Sequence, residues 1–135
     1  KALEDVIIKS VAAFANWQGG TLLIGVSDEG EILGLEADYA SLNGDHDRFE
    51  LHLRNLLNQN FGTAFVANRV KIRFHTINEQ DICQIDVQPA INPVIVTLTD
   101  KNGQKNERFY VRSGNSSQEL PPSEMHRYIQ ERFAR

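Results

Sequence analysis

From Leu3 onward, apolar residues at Val6, Ile7, Val11 and Phe14 recur at the spacing of a helix, with Glu4, Lys9 and Ser10 off the stripe. Ala12, Ala13 and Ala15 make a second, small face that can lie close against a sheet, so this helix reads as core. Gly19 and Gly20 must end it: one can take the left-handed conformation that closes a helix, and the other releases the chain into extended structure. Residues 21–26 then read as a short buried strand, Asp28, Glu29 and Gly30 as a turn, and residues 32–35, where the apolar pattern returns, as a second strand paired with the first. Residues 36–46 carry acids and a glycine and read as a surface loop. A helix follows over residues 47–60, with Phe49, Leu53, Leu56, Leu57 and Asn60 on one side and Glu50 and Arg54 one turn apart on another.

The period then changes to two. Val70, Ile72 and Phe74 point one way, and Lys71, Arg73 and His75 the other. Residues 78–81 supply a hairpin turn, and Cys83, Ile85 and Val87 share a face until Pro89 ends the strand. A second hairpin is predicted from residues 94–99 and 108–112 across the turn at 100–103. In its last strand Phe109 and Val111 share one face, and Arg108, Tyr110 and Arg112 the opposite one. Ser113, Gly114, Asn115, Ser116 and Ser117 break that strand, and Pro121 and Pro122 open a closing helix with Met125, Tyr128, Ile129 and Phe133 as its stripe. The pattern predicts one α+β domain over residues 1–135, a mixed and largely antiparallel sheet packed with N-terminal, middle and C-terminal helices.

Composition changes this picture little. With 135 residues, 41% of them hydrophobic and 24% charged, the chain can bury a core without disulfides or metals. Its apolar runs fall far short of the roughly 18 residues that a membrane span needs. The single cysteine, Cys83, sits in an alternating strand and reads as a buried structural thiol, which fits a reducing, cytoplasmic setting. The chain begins at Lys1 rather than Met, and is expected to be a piece of a longer protein. A net charge of −4 gives no general attraction to a polyanion, so nucleic-acid contact would need a local basic patch.

That patch has candidates. Lys71, Arg73, Arg108, Tyr110 and Arg112 would make a basic sheet face if their strands were neighbours. Gly114 and Asn115, in the serine-rich turn after Arg112, offer backbone N–H groups suited to an anion. The Gly-Gly segment is no phosphate loop, because it lacks a following Gly-Lys-Ser or Gly-Lys-Thr and precedes a strand. Asp45, His46 and Asp47 are too close in sequence to converge on one ion and read as helix capping. His46, His52, His75, His126 and Cys83 lack the context of a catalytic triad or dyad.

Residues 11–35 read V-A-A-F-A-N-W-Q-G-G-T-L-L-I-G-V-S-D-E-G-E-I-L-G-L, and residues 109–117 read F-Y-V-R-S-G-N-S-S. With these two motifs in this order, the chain resembles the Schlafen-type AlbA domain, often described as DNA-binding, over nearly its whole length. The resemblance implies a module that binds DNA or RNA within a larger regulatory, helicase-like or restriction-type protein, and an Alba-like homodimer. It also implies an alternative, since Schlafen relatives include RNA endonucleases. In those, acids upstream of the first helix join an aspartate after the Gly-Gly strand to hold Mg²⁺ or Mn²⁺. Asp28 is the match here, with Glu29 as the neighbouring choice; the upstream stretch falls outside this sequence, so no catalysis and no cofactor are expected of it as it stands. A protein-interaction role is the third expectation.

Overall fold

The first helix, α1 (Ala2–Ala15), ends where the two glycines demand it. The computed structural model describes residues 2–42 and 44–134. Gly19 has φ 81° and donates its N–H to the Phe14 carbonyl at 2.9 Å, so it is the left-handed residue of the pair. A Cβ there would also meet the Val87 carbonyl oxygen at 2.6 Å. Gly20 has ordinary φ but lies so close to the Phe14 ring that any Cβ would strike it. The two glycines therefore do different jobs, one conformational and one steric.

Among the described residues the chain makes five helices and seven strands, an α+β fold. The chain gathers into two compact units: the chain up to Gly20 with Val87 onward, and Thr21–Asp86.

In the first unit, α1 packs against strands β4 (Val96–Thr99), β6 (Tyr110–Ser113) and β7 (Ser116–Glu119). Its small face is buried completely: Ala12, Ala13 and Ala15 have no exposed surface. β4 pairs antiparallel with β5 (Lys105–Arg108), and β6 pairs antiparallel with β7. The expected second hairpin is thus two hairpins, and residues 108–112 are not one strand. Phe109, between β5 and β6, is buried and meets the Tyr128 ring edge-on at 5.9 Å. Phe109, Tyr110 and Val111 are all buried, so the alternation expected across this stretch does not hold.

The closing helix, α5 (Pro122–Arg132), carries no fully buried residue, but Met125, Tyr128 and Ile129, with Phe133 just past its end, are half-buried as the pattern predicted. Polar contacts fasten it. Tyr128 Oη donates to the Asn16 carbonyl, and the Arg132 guanidinium donates to the carbonyls of Ala15, Trp17 and Ala90 at 3.3, 2.9 and 3.1 Å. Helix α1 has no basic residue in its own last turn, so Arg132 brings a cation from α5 to that carbonyl-rich end.

In the second unit, β1 (Gly20–Ile24), β3 (Gln80–Val87) and β2 (Val70–Ile77) form one sheet in the order β1-β3-β2. Asn78 and Glu79, at φ 52° and 66°, make the two-residue turn between β2 and β3. Helix α3 (His46–Phe61) is capped by Asp45, whose carboxylate accepts from Arg48 N at 3.2 Å, and buries Phe49, Leu53 and Leu57. The expected loop before it holds a short helix, α2 (Glu36–Ser41), and α4 (Thr63–Arg69) follows it; neither has enough apolar periodicity to announce itself. Cys83 is fully buried, and burial pushes its thiol up to about 12. No helix among the described residues is long and apolar enough to cross a membrane.

Asn16 is completely buried, and its side chain donates to the carbonyls of Val94 and Tyr110, each at 2.9 Å, while accepting from Val94 N at 2.8 Å. Asn16→Ala orphans these groups, and unfolding in urea is expected to show a loss of about 3 kcal/mol. Cys83, kept as a thiol and sealed off, should resist a disulfide reagent at pH 8 until denaturant is added.

Candidate nucleic-acid interface

The two motifs of the sequence meet at the end of α1. Asn16 reaches the Tyr110 carbonyl on β6, and two residues further along that strand the Arg112 guanidinium lies over the Phe14 ring, 4.7 Å from its centroid. Phe14 is buried, with both Gly20 and Arg112 against its ring. Arg112 is half-buried and donates to Ser117 Oγ at 3.3 Å. No carboxylate pairs with it among the described residues. A guanidinium carries five N–H donors, so most of its hydrogen-bonding capacity is unspent in a place where water screens it only in part.

Ser117 stands opposite Arg112 in the β6–β7 register, and Ser113 opposite Ser116, leaving Gly114 and Asn115 exposed at the tip. Gly114 has φ 62°, as the first central residue of a type II′ turn requires. The serine-rich break is therefore a tight hairpin that presents its tip beside Arg112. The Gly-Asn dipeptide between short polar runs was a readable hairpin signal, and it also predicts Ser117 as the partner of Arg112.

The other expected members of the patch fare differently. Tyr110 is 5% exposed, so its ring is not offered to a ligand as the alternation had implied. Burial, with the Glu119 charge behind it, pushes its hydroxyl up, and the Lys9 ammonium sits 5.8 Å from its ring centroid. Arg108 is committed to Glu119 at 2.8 Å. The alternation fails here because β5 ends at Arg108 and β6 starts at Tyr110, each paired with a different strand.

Lys71 and Arg73 lie on the exposed face of β2, with His75 beyond them, as their period of two predicted. β2 is an edge of the β1-β3-β2 sheet, whereas β5 and β6 pair with β4 and β7, so the two basic stretches do not form one continuous sheet face. Lys71 has no ion-pair partner among the described residues. Arg73 does: it bonds Asp86 at 2.6 Å, inside a ladder that runs from Thr21 Oγ1 to Asp86 at 2.7 Å and includes Gln84 and His75, 2.8 Å apart. Burial works to raise the Asp86 carboxyl, but the bonds from Arg73, Gln84 and Thr21 outweigh it and hold it down to about 2. Sequence reading missed this ladder because its members are far apart along the chain.

Asp28 and Glu29 are exposed in the turn after β1. Among the described residues no group of three or more His, Cys, Asp or Glu side chains comes together that could hold a metal ion, around Asp28 or elsewhere.

The fold and the paired motifs define an α+β module with a hairpin-mounted guanidinium over a buried ring. The family model for Schlafen, AlbA_2, matches residues 1–121, and the chain belongs to that family. No curated protein matches it. Among solved structures, that of the DIP2311 protein from Corynebacterium diphtheriae is similar, with a TM-score of 0.62 and 23% identity over 97% of this chain. That likeness shows the fold. This chain spans 22% of the length of that protein.

Asp86 gives a pH signature. Its carboxyl titrates lower when folded than when unfolded, so the stability it adds is fully present above about pH 4 and is lost as pH falls toward 2. Urea midpoints of the unaltered chain and Asp86→Asn should accordingly differ by a constant amount from pH 5 to 7 and converge between pH 4 and 2.

Proposed function

We propose that this chain is a nucleic-acid-binding module, for DNA or RNA, within a larger regulatory, helicase-like or restriction-type protein. The observation that carries the reading is Arg112: a half-buried guanidinium with no carboxylate partner among the described residues, fixed over Phe14 beside an exposed hairpin tip. An anion completes such a group, and a phosphodiester does so through the guanidinium's N–H edge. Gly114 and Asn115 at the tip supply further polar contacts next to it. The family supports the reading, since its members are described as DNA-binding.

Lys71 and Arg73 form a second set of contacts in this proposal. Lys71 acts as a free charge, and Arg73 as a weaker contributor because Asp86 already neutralises it. Arg108 and Tyr110 shape the site from beneath, through Glu119 and Lys9, rather than touching the ligand. The module acts in the cytoplasm and pairs as a homodimer. Divalent-metal chemistry would require acids besides Asp28, so binding without cleavage is the function proposed for this stretch.

The test is binding of fluorescent DNA and RNA across a salt series. Affinity should fall with rising salt, and Arg112→Ala and Lys71→Ala should each weaken it and lower the log–log salt slope by about one. Arg73→Ala should change it less. Salt-independent binding, or full affinity in both Arg112→Ala and Lys71→Ala, would remove the proposal.

A further inference from the structure

Resting on the nucleic-acid reading above, we infer that the face of the Arg112 guanidinium, as distinct from its N–H edge, is a stacking platform for an unpaired base, so that the ligand class is single-stranded. Three observations combine. Phe14 is 6% exposed, and Arg112 lies over its ring at 4.7 Å from the centroid. Arg112 as a whole is only half-buried, so a planar group that has a buried ring on one side belongs to a side chain with exposed surface. The ring beneath is tightly packed, with Gly20 so close to it that there is no space for even a Cβ.

Such a platform is preorganised. An arginine on a bare surface loses rotamer freedom when it stacks, whereas this one is held by the Phe14 contact and by Ser117 Oγ at 3.3 Å. A flat cation over an aromatic ring presents the kind of surface on which unstacked bases settle, and every base has such a face. Bases in a duplex are stacked on one another and cannot reach it. The N–H edge meanwhile stays available for the adjoining phosphate, so base and phosphate contacts come from one side chain without competing.

Lysine keeps the charge but has no plane, which separates the two roles. The experiment compares three probes of equal phosphate count: an unstructured single strand, the same strand with abasic sites throughout, and a duplex. Each is titrated against the unaltered chain and Arg112→Lys, whose fold is checked by its urea midpoint. The unaltered chain should bind the base-bearing single strand about tenfold more tightly than the abasic one, and Arg112→Lys should erase that difference. Binding to the abasic strand and the duplex should be nearly the same in both proteins.

Equal affinity of the unaltered chain for base-bearing and abasic strands would overturn the stacking inference while leaving phosphate binding in place, and it needs no variant to fold. A base preference undiminished in Arg112→Lys would overturn the assignment to Arg112. Failure of the unaltered chain to bind any probe would remove the nucleic-acid reading itself, and this inference with it.

Discussion

One buried amide organises the first unit. Asn16 follows the last residue of α1, where a helix has carbonyls without partners, and its side chain turns away from the helix to bond both sides of Val94 and the carbonyl of Tyr110. Both ends of the amide are satisfied, which is the condition for burying it without penalty. The same stretch exposes its own carbonyls to α5, where Tyr128 and Arg132 meet those of Ala15, Asn16 and Trp17. A helix terminus, two strands and a closing helix are thereby tied within a few residues, and each tie answers a backbone group that would otherwise be unpaired.

The Gly-Gly pair follows from that crowding. Gly19 turns the chain with a positive φ against the Val87 carbonyl, and Gly20 passes so close to Phe14 that no side chain fits. Phe14 is thus crowded by Gly20, and Arg112 lies over its ring. The candidate interface is built on the same residues that end the helix. A change at Gly20 or Phe14 would be felt by Arg112 without touching any ligand.

The second unit relies on a different arrangement. Its sheet carries a polar ladder on one face, in which Asp86 gathers Thr21, Gln84 and Arg73. Elsewhere Asp81 accepts from Tyr39 and Thr76, and those bonds hold its carboxyl below the usual range. Burial, followed by the bond to Asp81, pushes the Tyr39 hydroxyl up in turn. These carboxylates are spent on neighbours. The basic residue most closely tied to one of them, Arg73, is to that extent withdrawn from the surface charge that Lys71 still offers.

Much of this was legible along the chain because it depends on local chemistry. Helix α1, its glycine stop, the alternation of Lys71, Arg73 and His75, the Asp45 cap and the stripe of α5 all follow from spacing and residue type over a few positions. The two motifs that mark the family are likewise local strings. The tertiary structure alone decided which of them touch: that Arg112 covers Phe14 across nearly a hundred residues, that Arg132 rather than a residue of α1 answers the end of α1, and that Asp86 neutralises Arg73. It also decided that β5 ends at Arg108 and β6 begins at Tyr110, each with its own partner strand, so that Tyr110 is buried although an alternating pattern sets it opposite Phe109. Period and propensity report what each residue prefers among its neighbours in sequence, and burial is settled by neighbours in space.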